Sequence, residues 1–123
     1  MVKYRNRKRA GVVFEKNFIL YKKFTQNLMQ VEGESLTILF SKALRKAYAE
    51  RSKLIEFFLK EGRNYTVLDN FDKLYNTKIA LNSDEMAMLS ELMRMFEPLL
   101  GSRNASETAR RVLYYYYATT FKN

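Results

Sequence analysis

Two short β-prone runs, each followed by helical segments with one apolar face, occur along the 123 residues. The later run is the cleaner. "TKIALN" (residues 77 to 82) alternates, with Ile79 and Leu81 on one side and Lys78, Ala80 and Asn82 on the other, the pattern of a half-buried strand. Ser83, Asp84 and Glu85 then supply a cap and first-turn acids for a helix carrying Met86, Leu89, Leu92, Met93, Phe96 and Leu100 at helical spacing. Pro98 is expected to kink or end that helix and Gly101 to stop it. "SRNASE" opens a last helix with Ala109, Val112, Leu113 and Tyr116 on one stripe. The unit reads strand, helix, turn, helix.

The same order is found earlier. "RAGVVF" (residues 9 to 14) is a short β-prone run, and the preferred register turns Val12 and Phe14 inward and Arg9, Gly11 and Val13 outward. "NFILYKKFTQNLMQV" (17 to 31) reads as a helix with Phe18, Tyr21, Phe24 and Leu28 among its buried candidates, broken by Gly33. "ESLTILFSKALRKAYAERSKLIEFFLKEG" reads as one longer helix, in which Phe40, Ala43, Leu44 and Ala47 answer to Ala109, Val112, Leu113 and Tyr116. The offset between copies runs from 67 to 69 residues, a match of pattern rather than identity. Residues 51 to 76 form a connector too apolar to be a free linker, with "VLDNFDKLY" expected as a short extra helix. The chain thus divides into a basic arm (1–8), a first unit (9–50), the helical connector (51–76) and a second unit (77–123).

Two isolated strands in one chain should pair, because a lone strand leaves half its backbone polar groups unsatisfied. The expected fold is mainly α with one short two-stranded antiparallel β-ribbon, its core supplied by four amphipathic helices.

Composition narrows the chemistry. Cysteine and histidine are both absent, which removes thiolate and imidazole catalysis, the ordinary zinc sites and a Ser-His-Asp triad. No metal, cofactor or small-molecule substrate is expected, and the chain is read as a non-enzyme. No apolar run approaches the roughly 20 residues of a membrane span, so the expected location is cytoplasmic. Net charge is +9, and five of those charges, Lys3, Arg5, Arg7, Lys8 and Arg9, fall in the first ten residues with no acid among them. Such a block suits a polyanion, since each phosphate it neutralises releases a condensed counterion.

The segments "KIALNSDE", "GSRNASE" and "ARRVLYYY" in the second unit, and more loosely "GVVFEKN", "EGESLT" and "FSKALRKAY" in the first, resemble the ribbon-helix-helix family of Arc- and MetJ-type repressors. The resemblance covers about residues 8 to 50 and 76 to 120. It implies a tandem ribbon-helix-helix chain forming an intramolecular pseudo-dimer, similar to viral (including archaeal-virus) or plasmid transcriptional regulators. The implied function is sequence-specific recognition of double-stranded DNA by a ribbon in the major groove. An alternative is an antitoxin-like or relaxosome accessory DNA-binding protein that holds a protein partner.

Site residues follow from that geometry. Outward ribbon side chains face base edges, giving Arg9, Gly11, Val13, Lys78, Ala80 and Asn82 as candidate readers. Phosphate contacts are expected from Lys3, Arg5, Arg7 and Lys8 in the arm, and at the N-termini of the second helices from Ser35, Thr37, Ser102, Arg103, Asn104 and Ser106. For Thr37 and Ser106 plain helix capping is the preferred reading, and the two roles are compatible. Four consecutive helical residues sweep most of a circle, so only about two of Tyr114 to Tyr117 should face the core. Tyr114, Tyr115 and Tyr117 are therefore candidates for a partner surface, with self-association along DNA as the expected use.

Overall fold

A computed structural model describes residues 12–66, 72–100 and 104–121. Among them the element order is β1 (Phe14–Tyr21), α1 (Lys22–Glu32), α2 (Leu36–Ala49), α3 (Arg51–Thr66), β2 (Leu74–Leu81), α4 (Ser83–Leu100) and α5 (Ala105–Thr120). The fold is mainly helical with one two-stranded antiparallel sheet. The two strands pair within the chain from Phe14 opposite Leu81 to Tyr21 opposite Leu74.

The first strand lies further along the chain than residues 9 to 14. The segment "NFILY", expected as the start of a helix, is the second half of β1, and α1 begins only at Lys22. Phe18 and Tyr21, three positions apart, share a helical face, but Phe18 and Leu20 are fully buried while Asn17 and Ile19 face out, and that two-residue alternation belongs to a strand. The preferred inward pair holds only in part: Val12 precedes β1 and is 62% exposed, while Phe14 shares the face of Phe18 and lies opposite Leu81 but is 41% exposed at the strand's start.

The start of α1 lacks a cap of its own, since the Tyr21 side chain makes no capping hydrogen bond to the helix. Asp72 caps it from the other strand's approach: its carboxylate accepts from the Lys23 N–H at 2.8 Å and the Phe24 N–H at 2.7 Å, beside a 2.7 Å bond from Lys22 N–H to the Lys73 carbonyl. A negative charge on free N–H groups at a helix start is favourable in sign and geometry. The helix ends at Gly33, whose φ of 69° is the left-handed conformation that a glycine adopts at little cost.

The long helix expected after Gly33 is two helices. Glu50, at φ −111° and ψ 39°, separates α2 from α3, and the chain re-enters a helix with Leu54 N–H on the Glu50 carbonyl at 2.9 Å. Of the expected helix over residues 67 to 75, residues 67–71 lie outside the described part, and Leu74 and Tyr75 belong to β2. Pro98 does not end α4, which continues to Leu100. So close to the terminus a proline removes little of the hydrogen-bond ladder.

Beneath the sheet, α2 and α5 fill the centre. Phe40, Ala43, Leu44 and Ala47 from α2 and Ala109, Val112 and Leu113 from α5 are buried with Phe18, Leu20, Ile79 and Leu81 from the strands. Phe18 meets Phe40 with ring centroids 5.3 Å apart. Each large side chain removed from water here stabilises the fold by about 1.5–3 kcal/mol, so the body rather than the two-stranded pairing holds the sheet in place.

Candidate nucleic-acid interface

Because side chains alternate, the pairing sorts the sheet into two faces. Phe18, Leu20, Ile79 and Leu81 point to the helices, and the opposite face carries the pairs Glu15–Ala80, Asn17–Lys78 and Ile19–Asn76. Glu15, Asn17, Ile19, Asn76 and Lys78 are exposed and Ala80 is half-buried. The Lys78 ammonium lies 3.6 Å from the Glu15 carboxylate. This face therefore offers one cation, one anion, two amides and two apolar side chains within three cross-strand pairs.

Of the expected base readers, Lys78 and Ala80 are on this face. Val13 is exposed but precedes β1, and Arg9 and Gly11 lie outside the described residues. Asn82 is a correction: it is 8% exposed and caps α4 instead of facing outward. Its Oδ1 accepts from the Glu85 N–H at 2.9 Å, and the Glu85 carboxylate accepts from the Asn82 N–H at 3.0 Å. That reciprocal box, not Ser83, starts the helix. Buried Glu85 also accepts from Ser41 Oγ at 2.5 Å and from Arg45 at 3.4 Å, tying α4 to α2.

Glu15, Asn17, Ile19 and Asn76 are ribbon surface residues absent from the expected readers, because strands over residues 9 to 14 and 77 to 82 do not contain them on an outward face, whereas β1 and β2 do. The signal was present in "FEKNFILY" and "LYNTKIAL", two runs of equal length whose apolar ends both stop one residue before a helix or its cap.

The helix N-termini are more fully used than expected. Ser35 Oγ accepts from Ile38 N–H at 3.5 Å, and Asn104 Oδ1 from Glu107 N–H at 2.9 Å, so both side chains cap their helices. Thr37 is half-buried in the first turn of α2. Ser106 reaches the sheet: its Oγ accepts from the Ile19 N–H at 2.9 Å, and Arg110 donates to the Ile19 carbonyl at 2.5 Å. These contacts cover a free edge of β1, which would otherwise present unpaired backbone groups. Ser102 and Arg103, with the arm residues Lys3, Arg5, Arg7 and Lys8, lie outside the described residues. Exposed Lys22, Lys23 and Lys73 supply positive charge where β1 ends and β2 begins, flanking the Ile19–Asn76 end of the outer face.

The tyrosine run is the second correction. Tyr114 and Tyr115 are 4% and 2% exposed, Tyr116 is buried and Tyr117 half-buried. More of α5 is covered than one apolar stripe requires, because α1 and α3 both pack on it. Tyr114 packs in tilted contacts against Phe24 and Phe57, and Tyr117 meets Phe24 edge-on at 5.4 Å. Tyr115 donates to Glu50 at 2.6 Å and lies edge-on to Phe57 at 5.3 Å. Burial, reinforced by that hydrogen bond, raises the Tyr115 hydroxyl above the ordinary tyrosine range, and the same bond holds the Glu50 carboxyl below its ordinary value. Burial first, then Glu32, raises Tyr116 likewise. The run is core and carries no partner surface at Tyr114 or Tyr115.

Among the described residues no helix is long and apolar enough to cross a membrane. Compared with models of known families, with curated proteins and with solved structures, the chain matches none.

Proposed function

We propose that this protein is a sequence-specific double-stranded DNA-binding transcriptional regulator, a tandem ribbon-helix-helix chain that lays the outer face of β1 and β2 into the major groove. The observation that carries the reading is the outer face itself. A solvent-facing two-stranded ribbon with Asn17, Asn76 and Lys78 standing out from it has the width and the donor and acceptor groups that the major groove admits.

The internal pattern supports a pseudo-dimer. Inward Phe18 and Leu20 stand 61 positions before inward Ile79 and Leu81. In the second helices, the caps Ser35 and Asn104 and the buried pairs Phe40–Ala109 and Leu44–Leu113 stand 69 positions apart. Most of that change of offset is the extra length of α4, 18 residues against 11 in α1. Each half is then a strand followed by two helices, and a pseudo-two-fold axis runs through the pair Asn17–Lys78, whose members are themselves 61 positions apart. The net charge of +9 adds the sequence-independent attraction that every such contact requires.

Selection of bound duplexes from a random pool tests the proposal. A defined motif supports a regulator; retention of duplexes without sequence enrichment makes the protein a non-specific binder and refutes it.

A further inference from the structure

Resting on the DNA-binding reading above, we infer that the ribbon recognises a non-palindromic site, in which the two flanks of a centre faced by Asn17 and Lys78 carry different base preferences set by Glu15 and Asn76. When two identical strands pair about a two-fold axis, they offer the same side chains to both flanks, and the site becomes palindromic in response. Here the paired strands come from one chain, and the axis relates unlike residues. Glu15 corresponds to Asn76, Asn17 to Lys78 and Ile19 to Ala80.

The outer face therefore has two chemically distinct ends. At one, Glu15 stands opposite Ala80; at the other, Asn76 stands opposite Ile19. Both ends hold an apolar side chain able to meet a thymine methyl group. The polar member differs. An ionised glutamate only accepts, which suits the amino group of cytosine N4, whereas an asparagine amide donates and accepts and suits adenine N6 and N7. Lys78 sharpens the difference, because its ammonium lies 3.6 Å from Glu15 and is thereby drawn toward the Glu15 end. The cations around the face are unequal as well: Lys22, Lys23 and Lys73 flank the Asn76 end, while the Glu15 end adjoins the chain that follows the basic arm. Glu15, Asn76 and Lys78 are exposed, so none of them is committed to the core.

The experiment is enrichment of bound duplexes from a random pool with the wild-type chain, with Glu15→Asn and with Asn76→Glu, folding being checked by circular dichroism. The wild type is expected to yield a motif whose two flanks differ. Glu15→Asn should replace the preference on one flank by that of the other, bringing the motif toward a palindrome. Asn76→Glu should make the converse change on the opposite flank. Between two duplexes differing only at the affected base pair, the affinity ratio should move by about 5- to 150-fold. A palindromic wild-type motif would overturn the inference while leaving the DNA-binding reading intact. So would altered overall affinity with unchanged preference, which would make Glu15 merely an electrostatic screen for Lys78. Absence of any wild-type motif would overturn both readings together.

Discussion

Asn17 lies directly opposite Lys78, in the middle of the three pairs that make up the outer face of the sheet, and the Lys78 ammonium reaches back to Glu15 at 3.6 Å. Both partners of that ion pair are more than half exposed, so it adds little to folding. Lys78→Ala should leave the denaturation midpoint nearly unchanged. On a selected site it should relax preference at one central base pair by about 1–3 kcal/mol if the lysine donates to guanine O6 and N7. Titrations on duplexes varied at that position measure this, and equal weakening on every sequence would make Lys78 a phosphate contact only.

The basic arm makes a separate prediction about salt. Deleting residues 1–8 removes Lys3, Arg5, Arg7 and Lys8. If the arm neutralises phosphates, the log-log dependence of affinity on salt should flatten by up to about 0.9 per lost contact. An unchanged slope in binding titrations over a range of salt would show that the arm does not touch the duplex.

Asp72 is a helix cap supplied across the fold, from residues leading into β2 to the start of α1. Asp72→Ala should destabilise the protein by about 1–2 kcal/mol, because two N–H groups lose their acceptor together with a charge well placed against the helix dipole. Asp72→Asn retains one acceptor oxygen and should recover part of the loss. Chemical denaturation of the three proteins gives the order; equal stability of wild type and Asp72→Ala would refute the capping role.

The Tyr115–Glu50 bond predicts a pH dependence with two limbs. Glu50 is held below its ordinary value of 4.5, first by the Tyr115 hydroxyl. Its contribution is therefore present above that value and is lost as pH falls through the lower folded-state value. Tyr115 is raised above its ordinary value of 10.0, first by burial and then by Glu50. Its contribution is complete below 10.0 and declines as pH rises beyond it, since only the unfolded chain then ionises. Tyr115→Phe should be less stable at neutral pH by about 1 kcal/mol and should show a flatter profile on both limbs. Denaturation midpoints across pH for the two proteins test this, and parallel profiles would show that the bond contributes no linkage.

Much of the architecture is legible in the sequence, and the exceptions have physical causes. Ile79 and Leu81 alternate cleanly with polar neighbours, so the end of β2 and its inward face follow directly. "NFILY" has an apolar residue at every position after Asn17, which satisfies a helical and an extended period alike; pairing with β2 decides between them. The antiparallel, intrachain pairing itself follows from there being two strands in need of partners. Asn82 reads as outward by strand parity, but parity lapses where the strand ends, and the residue turns to cap α4. The tyrosines are misjudged because helix periodicity counts one buried stripe, whereas α5 has neighbours on several sides, including Phe24 of α1 and Phe57 of α3. A helix wrapped by its neighbours is known only from the tertiary packing.

The central claim is that the outer face of β1 and β2 is what meets DNA, and amide and side-chain NMR shifts during titration with a selected duplex test it most directly. The largest changes are expected at Asn17, Ile19, Asn76 and Lys78, with the buried strand residues Phe18 and Ile79 and the exposed Leu59 of α3 little affected. Changes centred on α3 or α4, with Asn17, Asn76 and Lys78 unmoved at saturating duplex, would contradict it.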